Sequence, residues 1–178
     1  MSRKRRKLEV FAKFARELGA LSTCGRKAAG CVVFPADFSR VISIGYNGPP
    51  AGFPSEFCNH TEKPCGCVHA EQNALLKPRL PENNLIMFVT RAPCEGCANL
   101  IINSRSFSLV IYEHMSSSGK AGGLSLLTQA GIKVEPLDVA FTKATSLSSW
   151  ERLCGVYSRT KQLIGRSHRS GLPSWLLF

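Results

Sequence analysis

The sequence has no long apolar run. No stretch approaches the roughly 18 consecutive apolar residues of a membrane-spanning helix, and no apolar segment follows the basic N-terminus as it would in a signal peptide. No internal repeat is visible either. These absences exclude a membrane-spanning or exported chain as the first hypothesis, and we expect a cytoplasmic protein.

Acidic residues are scarce. The chain has 12 Asp and Glu against 23 Lys and Arg, a formal net charge of +11. Such a charge attracts anionic ligands, for example a nucleotide phosphate. Part of it is one unbroken run, Arg3 to Lys7. A nucleic-acid arm and a nuclear-import signal are possible functions of that run. Because no aromatic side chains interleave it, we favour a solvated, frayed terminus and do not expect nucleic acid as a partner.

The apolar pattern predicts one α/β domain with a basic tail and a C-terminal extension. Helices are predicted over Leu8 to Ala20, His69 to Lys77, Pro93 to Asn103, Gly123 to Ala130 and Ser146 to Ile164. Strands are predicted over Ala29 to Phe34, Arg40 to Gly45, Leu85 to Thr90, Leu109 to Tyr112 and Ile132 to Leu137, the first two as a hairpin. We divide the chain into a tail (1–7), a catalytic-type domain (8–137) and a helical extension with a tail (138–178), whose last residues we expect to pack on the domain or on a neighbouring subunit.

Eight cysteines in a chain without an export signal indicate metal binding more than a disulfide scaffold. His69 and Glu71 lie two residues apart, and Cys94 and Cys97 follow in a Pro-Cys-x-x-Cys segment. A catalytic zinc takes three protein ligands and leaves a fourth position for water. His69, Cys94 and Cys97 supply those ligands, which leaves Glu71 to carry protons.

Helix N-termini carry partial positive charge, which favours the thiolate that zinc needs. Cys94 and Cys97, three residues apart at such a terminus, can both face one ion. The alternative is a closed structural zinc site, with Cys67 as the fourth ligand and Glu71 as a surface acid. A non-ligand glutamate beside the histidine favours catalysis, since H-x-E…P-C-x-x-C is the signature of zinc nucleobase deaminases.

Four segments together resemble the deoxycytidylate (dCMP) deaminase family. They are Ser22 to Lys27 (STCGRK), Ile44 to Pro50 (IGYNGPP), His69 to Ala74 (HAEQNA) and Pro93 to Ala98 (PCEGCA). The resemblance extends from about Leu8 to Leu137. It implies a three-layer α/β/α cytidine-deaminase-like fold with a mixed five-stranded sheet. It also implies zinc-dependent hydrolysis of dCMP, or of a C5-substituted dCMP, to dUMP, in which a zinc-activated water attacks C4 and Glu71 shuttles protons.

The same resemblance implies partners and substrate contacts. It suggests a homo-oligomer, commonly a hexamer, with dCTP and dTTP as effectors. Asn47 matches the asparagine that contacts the nucleoside sugar, although an Asn in this loop can also simply adopt a left-handed turn. Arg26 and Lys27 match basic residues near the 5′-phosphate, and Ala70 is expected to line the substrate site. After Tyr112 the chain departs from the family, whose members often line the nucleotide pocket there. His114 could replace such a contact, but we expect it to be a surface residue.

Four further cysteines suggest a second, structural zinc, because some family members hold one at positions like Cys24, Cys58 and Cys65. A metal would order the long Gly- and Pro-rich loop that precedes His60. Cys67 is the expected fourth ligand and His60 the alternative; unligated thiols remain possible. Cys31 and Cys154 are expected to be buried core thiols.

Two other functions remain open at this stage. The protein could deaminate cytosine or adenosine in single-stranded nucleic acid or tRNA, which its basic tails favour slightly. It could also be an inactive zinc-binding regulatory protein, although an intact Glu71 argues against that.

Overall fold

A five-stranded mixed sheet forms the centre of the computed structural model, which describes residues 1–25, 27–58, 66–76, 84–115 and 122–154. The strands are β1 (Gly30–Pro35), β2 (Ser43–Tyr46), β3 (Leu85–Arg91), β4 (Phe107–His114) and β5 (Lys133–Pro136), in the order β2-β1-β3-β4-β5. β1 runs antiparallel to β2 and β3, whereas β3, β4 and β5 are parallel to one another. The predicted hairpin, the mixed sheet and the α/β class are therefore confirmed.

The described residues include six α-helices on the two faces of the sheet: α1 (Arg3–Ala20), α2 (Ala70–Leu76), α3 (Glu95–Ser104), α4 (Gly122–Gln129), α5 (Leu137–Lys143) and α6 (Leu147–Cys154). One buried cluster joins α1, α5 and α6 to the sheet, and a second cluster joins α2, α3 and α4 to its other face. This is the predicted three-layer arrangement. No helix of the described residues is both long and apolar enough to cross a membrane.

The basic run at the N-terminus is helical, so the prediction of a frayed terminus is wrong. α1 begins at Arg3 because Ser2 caps it: the Ser2 hydroxyl accepts a hydrogen bond from the Arg5 N–H at 3.2 Å. The same hydroxyl donates to the carbonyl of Ala144, at the end of α5. An i,i+4 pair between Arg5 and Glu9 adds support. Tertiary contact with α5 therefore orders residues whose charge pattern alone suggests solvation.

The C-terminal part of the described chain packs on the α1 side. α5 was not predicted, whereas α6 matches the beginning of the helix expected over Ser146 to Ile164. Trp150 and Leu153 are buried as predicted, and the Trp150 indole N–H donates to the Ala36 carbonyl at 2.9 Å. The expectations for Tyr157, Ile164 and the last residues lie outside the described residues.

Candidate metal centre

The candidate centre lies at the edge of the sheet where β3 ends. The chain leaves β3 at Arg91 and reaches Cys94, which is the N-cap residue of α3. Cys97 lies on the first turn of that helix. His69 immediately precedes α2. Both helices begin at the site, so their unpaired N–H groups and partial positive charge favour thiolate ligands.

Close backbone packing fixes α2 on β2. A Cβ atom on Gly45 would lie 2.1 Å from the Ala70 carbonyl oxygen and 2.7 Å from the Ala74 nitrogen, so only glycine permits this contact. The Ser43 hydroxyl donates to the Ala74 carbonyl at 2.6 Å, and the Asn73 amide donates to the Tyr46 carbonyl at 2.8 Å. These contacts set the position of His69.

His69 is oriented by the helix that it begins. Its backbone N–H donates to the Gln72 side-chain oxygen at 2.8 Å, which is one half of a capping box. Gln72 was missed in the sequence, although its spacing of three residues after His69 is the signal of that motif. The contact orders the turn from which the imidazole projects.

Three donor atoms converge as predicted. The His69 Nδ1 atom lies 3.3 Å from the Cys97 Sγ and 3.6 Å from the Cys94 Sγ, and all three atoms lie within 4.8 Å of one another. Tetrahedral zinc, with Zn–S about 2.3 Å and Zn–N about 2.05 Å, requires an N···S distance of about 3.6 Å. The geometry and the donor chemistry therefore fit zinc, with His69 binding through Nδ1. No other group of three or more such donors occurs in the described part of the chain.

The electrostatics of the thiols also fit a metal site. Hydrogen bonds with Cys97 and His69 lower the pKa of Cys94 to about 3, and the bond with Cys94 raises the pKa of His69. The pKa of Cys97 is raised, because the Cys94 thiolate and burial both favour its proton. Without metal, the two sulfurs thus share one proton, which a divalent cation would displace.

Glu71 is not among the three donors and is buried, with 5% of its surface exposed. Burial is the main cause that raises the pKa of its carboxyl. A carboxyl with a raised pKa beside the metal ligands is suited to accept and return a proton. The alternative of a solvated acid on the helix surface is wrong, because Glu71 is enclosed.

Asn47 is buried near the site and braces the chain before β1. Its side-chain oxygen accepts from the Ala29 N–H at 2.7 Å, and its amide donates to the Lys27 carbonyl at 2.7 Å. Its backbone is not in the left-handed region, so the alternative of a left-handed turn is wrong. Each polar atom keeps one further hydrogen-bonding position for a ligand. Arg26 lies outside the described residues.

The cysteines predicted for a second zinc are only partly brought together. Cys58 and Cys67 form a disulfide with their Cα atoms 5.5 Å apart. Cys24 is buried and belongs to no group of three metal donors in the described chain, whereas His60 and Cys65 lie outside it. A disulfide leaves neither sulfur as a thiolate, so a second zinc would need the reduced form. Cys31 and Cys154 are buried as predicted, and His114 is exposed.

Comparison with known proteins agrees with this geometry. Residues 5–113 match the cytidine and deoxycytidylate deaminase zinc-binding region. The deoxycytidylate deaminase of Schizosaccharomyces pombe is 31% identical over 140 residues, which cover 70% of this chain and 42% of that protein. The deoxycytidylate deaminase of Mycobacterium phage D29 is 35% identical over 54% of this chain and 86% of its own length.

A solved structure extends the comparison to the fold. The dCMP deaminase of cyanophage S-TIM5, in complex with dCMP and dUMP, is 27% identical with a TM-score of 0.64, over 76% of this chain and 98% of that chain. The matched segment includes the three zinc-type donors and Glu71. By its sequence, fold and metal centre, the chain belongs to the cytidine and deoxycytidylate deaminase family.

Proposed function

We propose that the protein hydrolyses dCMP, or a C5-substituted dCMP, to dUMP and ammonia. One observation carries the proposal: His69 Nδ1 and two cysteine sulfurs converge at zinc-binding distances beside the enclosed Glu71. The named relatives and the S-TIM5 enzyme with dCMP and dUMP support the choice of substrate.

His69, Cys94 and Cys97 would hold the ion. Zinc held there would supply a Lewis acid that lowers the pKa of water toward neutrality. Glu71 would accept a proton from the attacking water and deliver it to N3 of the cytosine ring. It would then carry the second proton, from the hydroxyl now on C4, to the departing amine. Its enclosure keeps bulk water from competing for these protons. Asn47 is proposed to contact the sugar, Ala70 to line the substrate site, and Arg26 and Lys27 to lie near the phosphate.

Glu71→Gln tests the mechanism. We expect a loss of about 100- to 10,000-fold in kcat for dCMP, because the amide cannot carry the proton. Metal analysis should show unchanged zinc, since Glu71 is not a donor in the metal cluster. Glu95→Gln is the matched control at the start of α3 and should retain activity. Full activity of Glu71→Gln would contradict the catalytic assignment and would favour a structural zinc.

A deaminase acting on single-stranded nucleic acid is the second candidate. A groove lined by Arg3, Arg6, Lys7 and Arg40 favours it, because these cations could contact phosphates. The groove adjoins the β1–β2 turn, however, and Pro35 of β1 pairs with Leu85 at the opposite end of β3. That end lies roughly 20 Å from the metal centre, at about 3.3 Å per strand residue. Parallel assays of ammonia release from dCMP, cytidine and single-stranded DNA decide between the candidates.

A second, structural zinc bound by Cys24, Cys58, Cys65 and Cys67 is a further proposal, with His60 as the alternative ligand. Proximity of Cys58 and Cys67 supports it. Metal analysis of reduced protein should give two zinc ions per chain, falling to one in Cys58→Ser. One zinc per chain in the reduced wild type would contradict this site.

Assembly and regulation are proposals that rest on the family. We propose a homo-oligomer, a hexamer in the form expected for relatives, with dCTP as activator and dTTP as inhibitor, in the cytoplasm. Light scattering gives the mass in solution, and initial rates with either triphosphate test the regulation. A monomer indifferent to both would contradict these proposals.

A further inference from the structure

Arg91 lies on the same face of the sheet as the metal centre. It is the last residue of β3, and the segment Ala92-Pro93-Cys94 follows it directly. Met87 and Val89, at alternate positions of β3, belong to the core cluster beneath α2, α3 and α4. Because strand side chains alternate between faces, Arg91 projects toward that cluster, where the chain emerges at the edge of the sheet.

Among the described residues, the guanidinium of Arg91 makes a hydrogen bond through one of its atoms. Its Nε donates to the Ala28 carbonyl at 3.3 Å. Within the described residues, its Nη atoms have no hydrogen-bond or ion-pair partner. The residue is half-buried, so part of its hydration is already lost. A half-buried cation with two free donor groups is suited to bind an anion.

The acidic residues near this edge do not pair with Arg91 within the described residues. Glu113, on the opposite face of β4, pairs with Arg16 of α1. The Glu95 carboxylate packs against the beginning of α4. A Cβ atom added to Gly122 would lie 2.2 Å from the Glu95 Oε1 atom. Glu71 is enclosed beside Cys97. None of these acids forms an ion pair with Arg91, so its charge is not neutralised within the described part of the protein.

Arg91 and Asn47 hold the same short segment. Asn47 binds the Lys27 carbonyl and the Ala29 N–H, and Arg91 binds the Ala28 carbonyl between them. This segment, three consecutive residues before β1, is therefore fixed from two sides at the catalytic edge. The arrangement places the guanidinium of Arg91 next to the segment held by the asparagine that is proposed to contact the sugar.

We propose that Arg91 binds the 5′-phosphate of the nucleotide substrate through its two Nη groups. A guanidinium matches two phosphate oxygens with parallel hydrogen bonds, which a lysine cannot do. The inference rests on the proposed deamination of dCMP and assigns to that site a phosphate-binding residue outside the Arg26–Lys27 segment. The alternative is that Arg91 only braces the Ala28 segment.

Arg91→Met separates the two roles, because it removes the charge and keeps an unbranched apolar stem. For dCMP, we expect KM to rise about 10- to 100-fold with kcat little changed, the scale of a lost charge-assisted pair. For deoxycytidine, which lacks the phosphate, kcat/KM should change less than about twofold. Arg91→Lys should recover part of the loss, and Arg6→Met, at the opposite end of the sheet, is the charge-matched control. The inference would be overturned if Arg91→Met lost kcat/KM equally for dCMP and deoxycytidine, or lost none for either substrate.

Binding without turnover separates this inference from the proposed function. We expect the product dUMP to bind Arg91→Met about 10- to 100-fold more weakly than wild type by calorimetry, while deoxyuridine binds both equally. If wild type does not deaminate dCMP, the proposed function fails on its own. Equal dUMP affinity in the two proteins, or no dUMP binding by wild type, overturns the role of Arg91.

Discussion

At the scale of single residues, burial decides what each ionisable group can do. The Glu71 carboxyl and the Cys31 thiol both have pKa values raised mainly by burial. Of the two groups, Glu71 adjoins the metal donors, where we propose that it carries protons. Cys31 lies within the core beneath α2 and is shielded from reagents. The same physical cause therefore suits one position to the proposed proton transfer and leaves an inert thiol at the other.

Cys154 provides a test of this shielding. Burial raises the pKa of its thiol to about 12, and 1% of its surface is exposed. Because the thiolate is the reactive form, a thiol reagent at pH 8 should not label Cys154 in the folded, zinc-loaded protein. Labelling followed by peptide mass spectrometry, with a urea-unfolded sample as positive control, gives the measurement. If Cys154 in the folded protein is labelled as fast as in the urea-unfolded sample, the C-terminal end of α6 is accessible to solvent and the prediction is wrong.

At the scale of elements, sequence patterns gave the centres of helices and strands better than their ends. Short β-branched or apolar runs correctly predicted β1 and β3, because those strands are buried and their propensity agrees with their packing. α5 was missed since a seven-residue helix beginning directly after β5 has too few turns to show a periodic pattern. The start of α1 was missed because the charge run before Leu8 suggests a solvated chain end. Ser2, a residue type that caps helices, was the signal for a helix beginning at Arg3.

Contact between α2 and β2 is the element-scale feature on which the metal centre depends most. Gly45→Ala would place a Cβ 2.1 Å from the Ala70 carbonyl, in backbone that cannot move aside without shifting α2. We expect about 1–3 kcal/mol lower stability by chemical unfolding, together with weaker zinc retention because His69 moves. Gly48→Ala is the control, since its nearest neighbour would lie 3.9 Å away. Equal stability of both variants would contradict the tight packing.

At the scale of the whole molecule, the sheet order assembles the metal centre. β1 lies between β2, which positions α2, and β3, which leads into α3, so two segments 25 residues apart meet at one edge. A metal bound there would link the helices of one layer. Folding stability and metal affinity are coupled in such a site, because the unfolded chain does not hold the donors together.

Zinc removal should therefore destabilise the whole domain. Free zinc at a thousandfold above its Kd stabilises the folded state by about 4 kcal/mol, which corresponds to roughly 10 °C in Tm for a domain of this size. Differential scanning calorimetry with zinc or with a chelator measures the shift. The Cys94→Ser variant should lose the part of the Tm difference between zinc-loaded and chelated protein that comes from this centre. An unchanged Tm on chelation of the wild-type protein would contradict a bound metal at this position.

The sequence by itself determined the chemistry of the metal donors and the α/β class. These follow from residue types and short spacings, such as His69 to Glu71 and Cys94 to Cys97, that any fold must preserve. Only the tertiary structure decided which His69 nitrogen faces the thiols, that Asn47 braces the segment before β1, and that Arg91 donates to the Ala28 carbonyl in that segment. Those properties depend on contacts between residues 18 to 63 positions apart, and packing of the sheet sets such distances, not local sequence.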